Sequence, residues 1–355
     1  MNNEVNELTM ITNLLRQNIK TLKPYSSARN EFEGNASIWL DANESPTSLP
    51  GLPDGINRYP ATQLSDLKSK IASIKGVDIS QTFVGNGSDE AVDLLYRIFC
   101  NPGQDKALVF PPTYGMYGVC ANINDVEVIE SNLDVNFKID LEDFETKNAL
   151  NPKLTFICNP NNPTGNVQDS DTIRQIIETS NGIVIVDEAY IDFCPSKSVL
   201  KWINQYPTLV VLQTLSKAWG LAGARVGLAF ASSEIISVMN KVKFPYNVGQ
   251  PSIDIALNAL NMSNLLVDRV SEIINNRQTL TNELKQFPMV EKIYPSSSNF
   301  ILTKFKNHRA VYNALASNGI VVRDRHSQSG CEGCLRITVG TREEVEKLIN
   351  CLKEM

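Results

Sequence analysis

Apolar residues in this chain come in short runs, at 107–110, 154–158, 183–186, 209–212 and 226–231, with polar or amphipathic stretches between them. Runs of this length that are rich in β-branched residues and show no alternation predict strands buried on both faces. Strands that alternate with helical stretches predict a largely parallel central sheet. After Gly85-Asn86-Gly87-Ser88, the residues Ala91, Leu94, Leu95 and Ile98 repeat at the spacing of one helix face. The pattern breaks around the prolines at 245 and 251, and 253–286 reads as a long helical connector. Two further runs, at 300–303 and 335–339, predict strands of a smaller unit. The chain therefore reads as an N-terminal arm (1–35), a large α/β domain (36–250) and a small α+β domain with its connecting helix (251–355). No internal repeat or low-complexity segment interrupts it.

Composition narrows the class. With 42% apolar and 20% charged residues the chain is not a disordered one, and 355 residues suffice for about two domains with a sizeable core. A net charge of -6 offers no global attraction to nucleic acid. The first residues, Met1-Asn2-Asn3-Glu4-Val5, are polar and acidic where a signal peptide would be basic and then apolar, and no stretch has the length of a membrane span. Seven scattered cysteines, an odd number with several inside apolar runs, read as reduced thiols. The expectation is a cytoplasmic enzyme with neither nucleic acid nor membrane as partner, beginning at Met1 or Met10. Only two histidines, His308 and His326, are present, which argues against a Ser-His-Asp hydrolase and against zinc at Cys331-Glu332-Gly333-Cys334, so no metal is expected.

Chemistry gathers at the ends of the runs, where open α/β sheets place their sites. The run 209–212 leads into Thr214-Leu215-Ser216-Lys217-Ala218-Trp219-Gly220, then Gly223-Ala224-Arg225. A lysine delivered from a buried strand into a small-residue turn is placed where desolvation lowers its pKa and leaves an amine free for Schiff-base chemistry. Arg225 suggests an anion close by. The run 183–186 ends in Asp187-Glu188-Ala189-Tyr190. A carboxylate at a buried strand end needs a cationic partner, and a protonated pyridine nitrogen is one. Asn159-Pro160-Asn161-Asn162-Pro163-Thr164-Gly165 is dense turn chemistry whose prolines hold the amides in place, which makes Asn162 the natural hydrogen-bonding residue. Gly87-Ser88-Asp89 opens a helix with free backbone N–H groups that suit phosphate, Ser88 serving as cap or phosphate contact. Alone, each segment has a plain structural reading: a strand-to-helix turn, a cap, a β-turn. The glycine turn lacks the G-x-G-x-x-G spacing of a nicotinamide site.

In this order and at these spacings the four segments resemble the fold-type I pyridoxal-phosphate aminotransferases. The resemblance narrows to the histidinol-phosphate aminotransferase family through Leu22-Lys23-Pro24-Tyr25, Asp41-Ala42-Asn43-Glu44, Asn57-Arg58-Tyr59-Pro60, Pro111-Pro112-Thr113-Tyr114-Gly115-Met116-Tyr117, Val322-Arg323-Asp324 and Cys334-Leu335-Arg336-Ile337-Thr338-Val339-Gly340. It implies a mostly parallel sheet sandwiched by helices, with a smaller α+β C-terminal domain. It also implies pyridoxal 5'-phosphate bound covalently to Lys217, with Asp187 on the ring nitrogen and Tyr190 and Asn162 on the ring oxygen. The phosphate would be held by Gly87, Ser88, Asp89, Ser216 and Arg225, and Tyr114 would lie against the ring. Tyr25, Asn43, Tyr59, Asn162, Arg323 and Arg336 are implied in substrate binding, and Tyr59 also in reaching the partner subunit's cofactor phosphate within a homodimer. The implied substrates are L-histidinol phosphate and 2-oxoglutarate or L-glutamate. An aromatic or other amino-acid aminotransferase, a threonine-phosphate decarboxylase and a non-catalytic pyridoxal-phosphate-binding regulator remain as alternatives.

Overall fold

Residues that alternate between two apolar layers force the centre of this protein into a sheet covered on both sides. Along β4 (Leu154–Cys158), β5 (Ile183–Asp187) and β6 (Leu209–Thr214) every residue is buried. Phe156, Ile185 and Leu212 pack into one apolar layer, and Ile157, Val186 and Val211 into the other. Each fully buried side chain of this size stabilises the fold by about 1.5–3 kcal/mol, so a slip of register would exchange large side chains between two filled layers. The structure, a computed structural model, describes residues 10–25, 32, 36–60 and 63–355. Part of the expected arm and the start at Met1 lie outside the described residues.

The large sheet has seven strands, ordered β1-β7-β6-β5-β4-β2-β3. β2 (Lys106–Val109), β3 (Glu127–Glu130), β4, β5 and β6 run parallel to one another, as the separated apolar runs predict. β7 (Val226–Phe230) is antiparallel to both β6 and β1 (Thr82–Asn86). The connection from Thr214 to Val226 is too short for a crossover helix, so the chain turns back. This reversal returns Arg225 to the turn that follows β1. Of these seven, β1 and β3 are the two strands the apolar pattern does not reveal. β1 merges into the glycine turn, and β3 is a four-residue edge strand with a glutamate at each end.

The helix Ser88–Phe99 buries Ala91, Leu94, Leu95 and Ile98, the face read from the sequence. Its cap position falls on Gly87 (φ 80°), so Ser88 is the first helical residue and not the cap. The smaller sheet, ordered β10-β11-β9-β8 with β8 at Val290–Ile293 and β10 at Arg323–Asp324, is antiparallel throughout. β9 (Phe300–Phe305) and β11 (Cys334–Thr338) match the two C-terminal runs. The expected connector is two helices, Gln250–Asn261 and Asn264–Leu284. The first buries Ile253, Ala256 and Leu260 in the large-sheet core, and only from Leu280 onward does a separate small core form. Within the described part of the N-terminal segment, Ile11 and Ile19 pack into the large core, and Lys241 Nζ donates to the Ile19 carbonyl at 2.9 Å.

Candidate active site

Because β4, β5 and β6 run parallel, their C-terminal ends converge on one pocket. It takes Cys158 and Asn162 from the end of β4, Asp187, Ala189 and Tyr190 from β5, and Thr214, Ser216 and Lys217 from β6. Its remaining wall is Gly87, Ser88, Asp89, Tyr114 and Arg225. Ten of the residues singled out in the sequence are thus brought together, while Tyr25, Asn43, Tyr59, Arg323 and Arg336 do not line this pocket.

At the acid end, Asp187 lies buried at the tip of β5, beside Cys158 in register. Burial pushes its carboxyl above the usual carboxylate range. Opposing this, Tyr117 donates a 2.6 Å hydrogen bond to Oδ2 and the Ala189 amide donates to Oδ1 at 3.0 Å. No cation among the described residues forms an ion pair with Asp187, so a cationic ligand group is the partner its position suits. Tyr117 is itself fully buried and stacks on Phe156 with ring centroids 4.8 Å apart. Sequence reasoning gave it no role. Its chemistry is invisible without the fold, because its partner lies seventy positions away.

The lysine end is set by the turn after β6. Ser216 donates its amide to Thr214 Oγ1 at 3.1 Å, and Gly220 donates to the Lys217 carbonyl at 3.0 Å, which pins the backbone on either side of the lysine. Leu215 and Trp219 anchor the turn in the core. Burial lowers the Lys217 pKa, and the positive charge of Arg336 lowers it further, against the opposing pull of Asp187 and Asp89. Its Nζ sits 5.5 Å from the centre of the Tyr190 ring.

The third corner suits a phosphate. Asn86 of β1 pairs with Val226 of β7, so Gly87 and Arg225 meet just beyond the strands, and the Gly87 amide donates to the Arg225 carbonyl at 2.8 Å. Arg225 holds a left-handed backbone (φ 55°), an uncommon conformation for a residue with a side chain. A Cβ on Gly87 would come within 2.6 Å of Arg225 Nη2, and one on Gly227 within 2.0 Å of the Ser88 amide nitrogen. Two glycines therefore hold open a cradle made of a guanidinium and the unpaired amides of a helix's first turn. Asp89 accepts from the Tyr114 hydroxyl at 3.1 Å and lies 3.5 Å from Arg225 Nη2. The chemistry of the donor set fits pyridoxal phosphate: a guanidinium and free amides suited to a phosphate, a buried acid suited to a cationic ring nitrogen, and a desolvated amine suited to an aldehyde.

Asn162 links the pocket to the small sheet. Its Nδ2 donates to the Tyr190 hydroxyl at 3.4 Å, and its Oδ1 accepts from Nη1 of Arg336 on β11. Asn159 and Asn161 are also buried and tie the turn down, Asn159 by accepting from the Gln168 amide at 2.8 Å and Asn161 by donating to the Pro112 carbonyl at 2.9 Å. The Arg336 guanidinium lies 5.2 Å from the Phe300 ring centre, and Phe300 meets Tyr190 edge-on at 5.1 Å. Arg323 sits directly across from Arg336 in the β10–β11 ladder, and both line a separate recess with Tyr312 and Thr338. Tyr59 stacks on Tyr246 at 4.5 Å and is half-exposed, while Tyr25 is exposed. Asn43 is exposed and adopts a left-handed backbone.

A parallel sheet whose strand ends bring a desolvated lysine, a buried acid and a phosphate cradle into one pocket defines a class of cofactor-dependent group-transfer enzymes. The family model for class I and II aminotransferases matches residues 31–352, and the chain belongs to that family. More narrowly, it is 48% identical over 345 residues to histidinol-phosphate aminotransferase from Parabacteroides distasonis, a match covering 97% of this chain and 99% of the relative. Among solved structures, histidinol-phosphate aminotransferase from Clostridium acetobutylicum superposes with a TM-score of 0.78 over 84% of this chain and 90% of its own, at 24% identity. The Sinorhizobium meliloti histidinol-phosphate aminotransferase in complex with pyridoxal-5'-phosphate superposes with a TM-score of 0.77 over 84% and 82%, at 21% identity. At those identities the two structures speak for the fold.

Proposed function

We propose that this protein is a pyridoxal-phosphate-dependent histidinol-phosphate aminotransferase, moving an amino group reversibly between L-histidinol phosphate and 2-oxoglutarate in histidine biosynthesis. The observation that carries this reading is the 48% identity to a histidinol-phosphate aminotransferase over nearly the full length of both chains. The pocket's lysine, buried acid and phosphate cradle support it.

When bound, pyridoxal phosphate supplies a ring that accepts the electron pair released as the substrate carbon loses its proton. Asp187 keeps the ring nitrogen protonated from a site where a cation offsets the cost of burying its charge. Lys217 would hold the cofactor, and as a free amine it would take the proton from the substrate carbon; its lowered pKa favours the neutral, basic form. Tyr190 and Asn162 orient the ring oxygen, and Arg225, Ser216 and the amides at Ser88 and Asp89 hold the phosphate. Arg336 and Arg323 take the distal anion of either substrate, since a guanidinium pairs with carboxylate and phosphate alike.

The same reading places the enzyme in the cytoplasm as a homodimer, with Tyr59 reaching the partner's cofactor phosphate and Tyr25 and Asn43 completing the substrate site. It also keeps the division into arm, large domain and small domain at about residues 35 and 250. No helix among the described residues is long and apolar enough to cross a membrane. The test is to incubate the purified protein and pyridoxal phosphate with L-histidinol phosphate and 2-oxoglutarate. Glutamate formation that requires both substrates is expected. Turnover of amino acids alone, or release of carbon dioxide from threonine phosphate, would replace this reading.

A further inference from the structure

A third arginine stands beside the two already named. In the β10–β11 ladder Arg323 faces Arg336, and the Arg325 amide donates to the Cys334 carbonyl at 3.0 Å, extending the pairing beyond β10 (Arg323–Asp324). Side chains two apart on a strand share a face, so Arg323, Arg325 and Arg336 lie on one side of the small sheet. This side looks toward the large domain: Leu302 and Cys334, which share it through the β9–β11 register, pack against Phe137.

Three guanidiniums on one face repel one another. Among the described residues no carboxylate pairs with Arg323, Arg325 or Arg336. Asp324, between two of them, accepts instead from the His326 amide at 2.8 Å and lies 3.9 Å from His308 Nε2. The Nε atoms of both Arg325 and Arg336 are buried without a hydrogen-bond partner. Burial, with added repulsion from Arg336 and Arg323, pushes the Arg325 guanidinium down to about 10. The same face reaches the pocket through Arg336, which donates to Asn162 Oδ1, while Asn162 Nδ2 donates to the Tyr190 hydroxyl at 3.4 Å. Buried donors on clustered cations next to a pocket are a site for an anion with more than one charge.

We propose that Arg325 is a third anion-binding residue of the substrate site, and that it selects the phosphate-bearing amino donor over the carboxylate-bearing one. The inference rests on the histidinol-phosphate reading. A phosphate monoester carries roughly -1.5 to -2 charges and three acceptor oxygens at neutral pH. A carboxylate has one charge and two oxygens, which a single guanidinium satisfies by paired hydrogen bonds. Arg336 already spends one donor on Asn162, so the additional charge and oxygen of a phosphate call on Arg325.

The experiment compares the wild-type holoenzyme with Arg325→Gln and Arg325→Lys on L-histidinol phosphate and on L-glutamate, which use the same pocket. Arg325→Gln is expected to raise KM for histidinol phosphate by about tenfold or more, as loss of a charge-assisted hydrogen bond does, while kcat/KM for glutamate changes far less. Arg325→Lys should recover part of the loss. Equal losses on both substrates, or no loss on either, would overturn the proposal, because a purely structural arginine does not distinguish them. If Arg325→Gln does not fold, inorganic phosphate as a competitive inhibitor decides: weaker inhibition of Arg325→Lys than of wild type supports the role, and equal inhibition removes it. A wild-type enzyme that does not turn over histidinol phosphate would instead overturn the functional reading, and the phosphate inhibition would still report on Arg325.

Discussion

The Tyr117 hydroxyl donates to Asp187 Oδ2 at 2.6 Å, and both side chains are buried under the central sheet. Burial pushes the acid toward its neutral form and this bond pulls it back toward the charged one, so the tyrosine favours the carboxylate form that the proposed pairing with the cofactor ring calls for. Tyr117→Phe keeps the ring stacked on Phe156 but removes the donor. We expect kcat/KM to fall about tenfold, the usual cost of a hydrogen bond to a charged group, with little change in Tm. Steady-state kinetics alongside thermal unfolding checks this, and unaltered kinetics would show that the bond has no catalytic consequence.

Lys217→Ala should fold and still bind pyridoxal phosphate noncovalently, but lose turnover. Mass spectrometry after borohydride reduction provides the measurement. A cofactor adduct on any other lysine of the variant would displace Lys217 from its assigned role.

Gly227→Ala asks whether the phosphate cradle tolerates a methyl group. The new Cβ would lie 2.0 Å from the Ser88 amide nitrogen, a backbone atom that cannot rotate away. The start of the helix Ser88–Phe99 has to shift. Cofactor content after dialysis and Tm should both fall, by an amount typical of overpacking, about 1–3 kcal/mol. Full retention of cofactor would mean that the first-turn amides do not hold the phosphate.

Glu188 carries a pH signal. It is buried next to Asp187, where desolvation pushes its carboxyl from 4.5 up to about 7 despite hydrogen bonds from the Val199 amide, Ser198 and Gln213. A folded-state pKa above the unfolded one contributes stability in full below pH 4.5, and this is lost as pH rises through about 7. The wild type should therefore lose, relative to Glu188→Gln, on the order of 3 kcal/mol across that window. Denaturant midpoints of both proteins at several pH values give the comparison. Parallel curves would mean that Glu188 is not protonated in the folded state.

Tyr59 tests the shared site. Tyr59→Ala and Lys217→Ala chains are each expected to be inactive. Mixed under conditions of subunit exchange, they should form hybrids with one intact site and regain activity above either parent. A mixture that stays at parental activity after exchange has been demonstrated would remove Tyr59 from its partner's pocket.

The sequence by itself determined the central strands and the chemistry at their ends. Continuous apolar runs can be satisfied only between two covered faces, and in a parallel sheet the residues that follow such runs share one edge. Asn162, Asp187 and Lys217 were legible for that reason, and the helix after Gly87 was legible from its apolar spacing. Tertiary structure alone decided what depends on the chain's return. The reversal of β7 sets Arg225 against Gly87, packing seats Tyr117 on an acid seventy positions away, and the β10–β11 register ranges three arginines along one face. A local pattern records which face of an element is apolar. It does not record which other element covers that face, because the pairing of distant segments arises from packing among all the elements together, and the neighbours of Asp187, Arg225 and Arg325 are products of that packing.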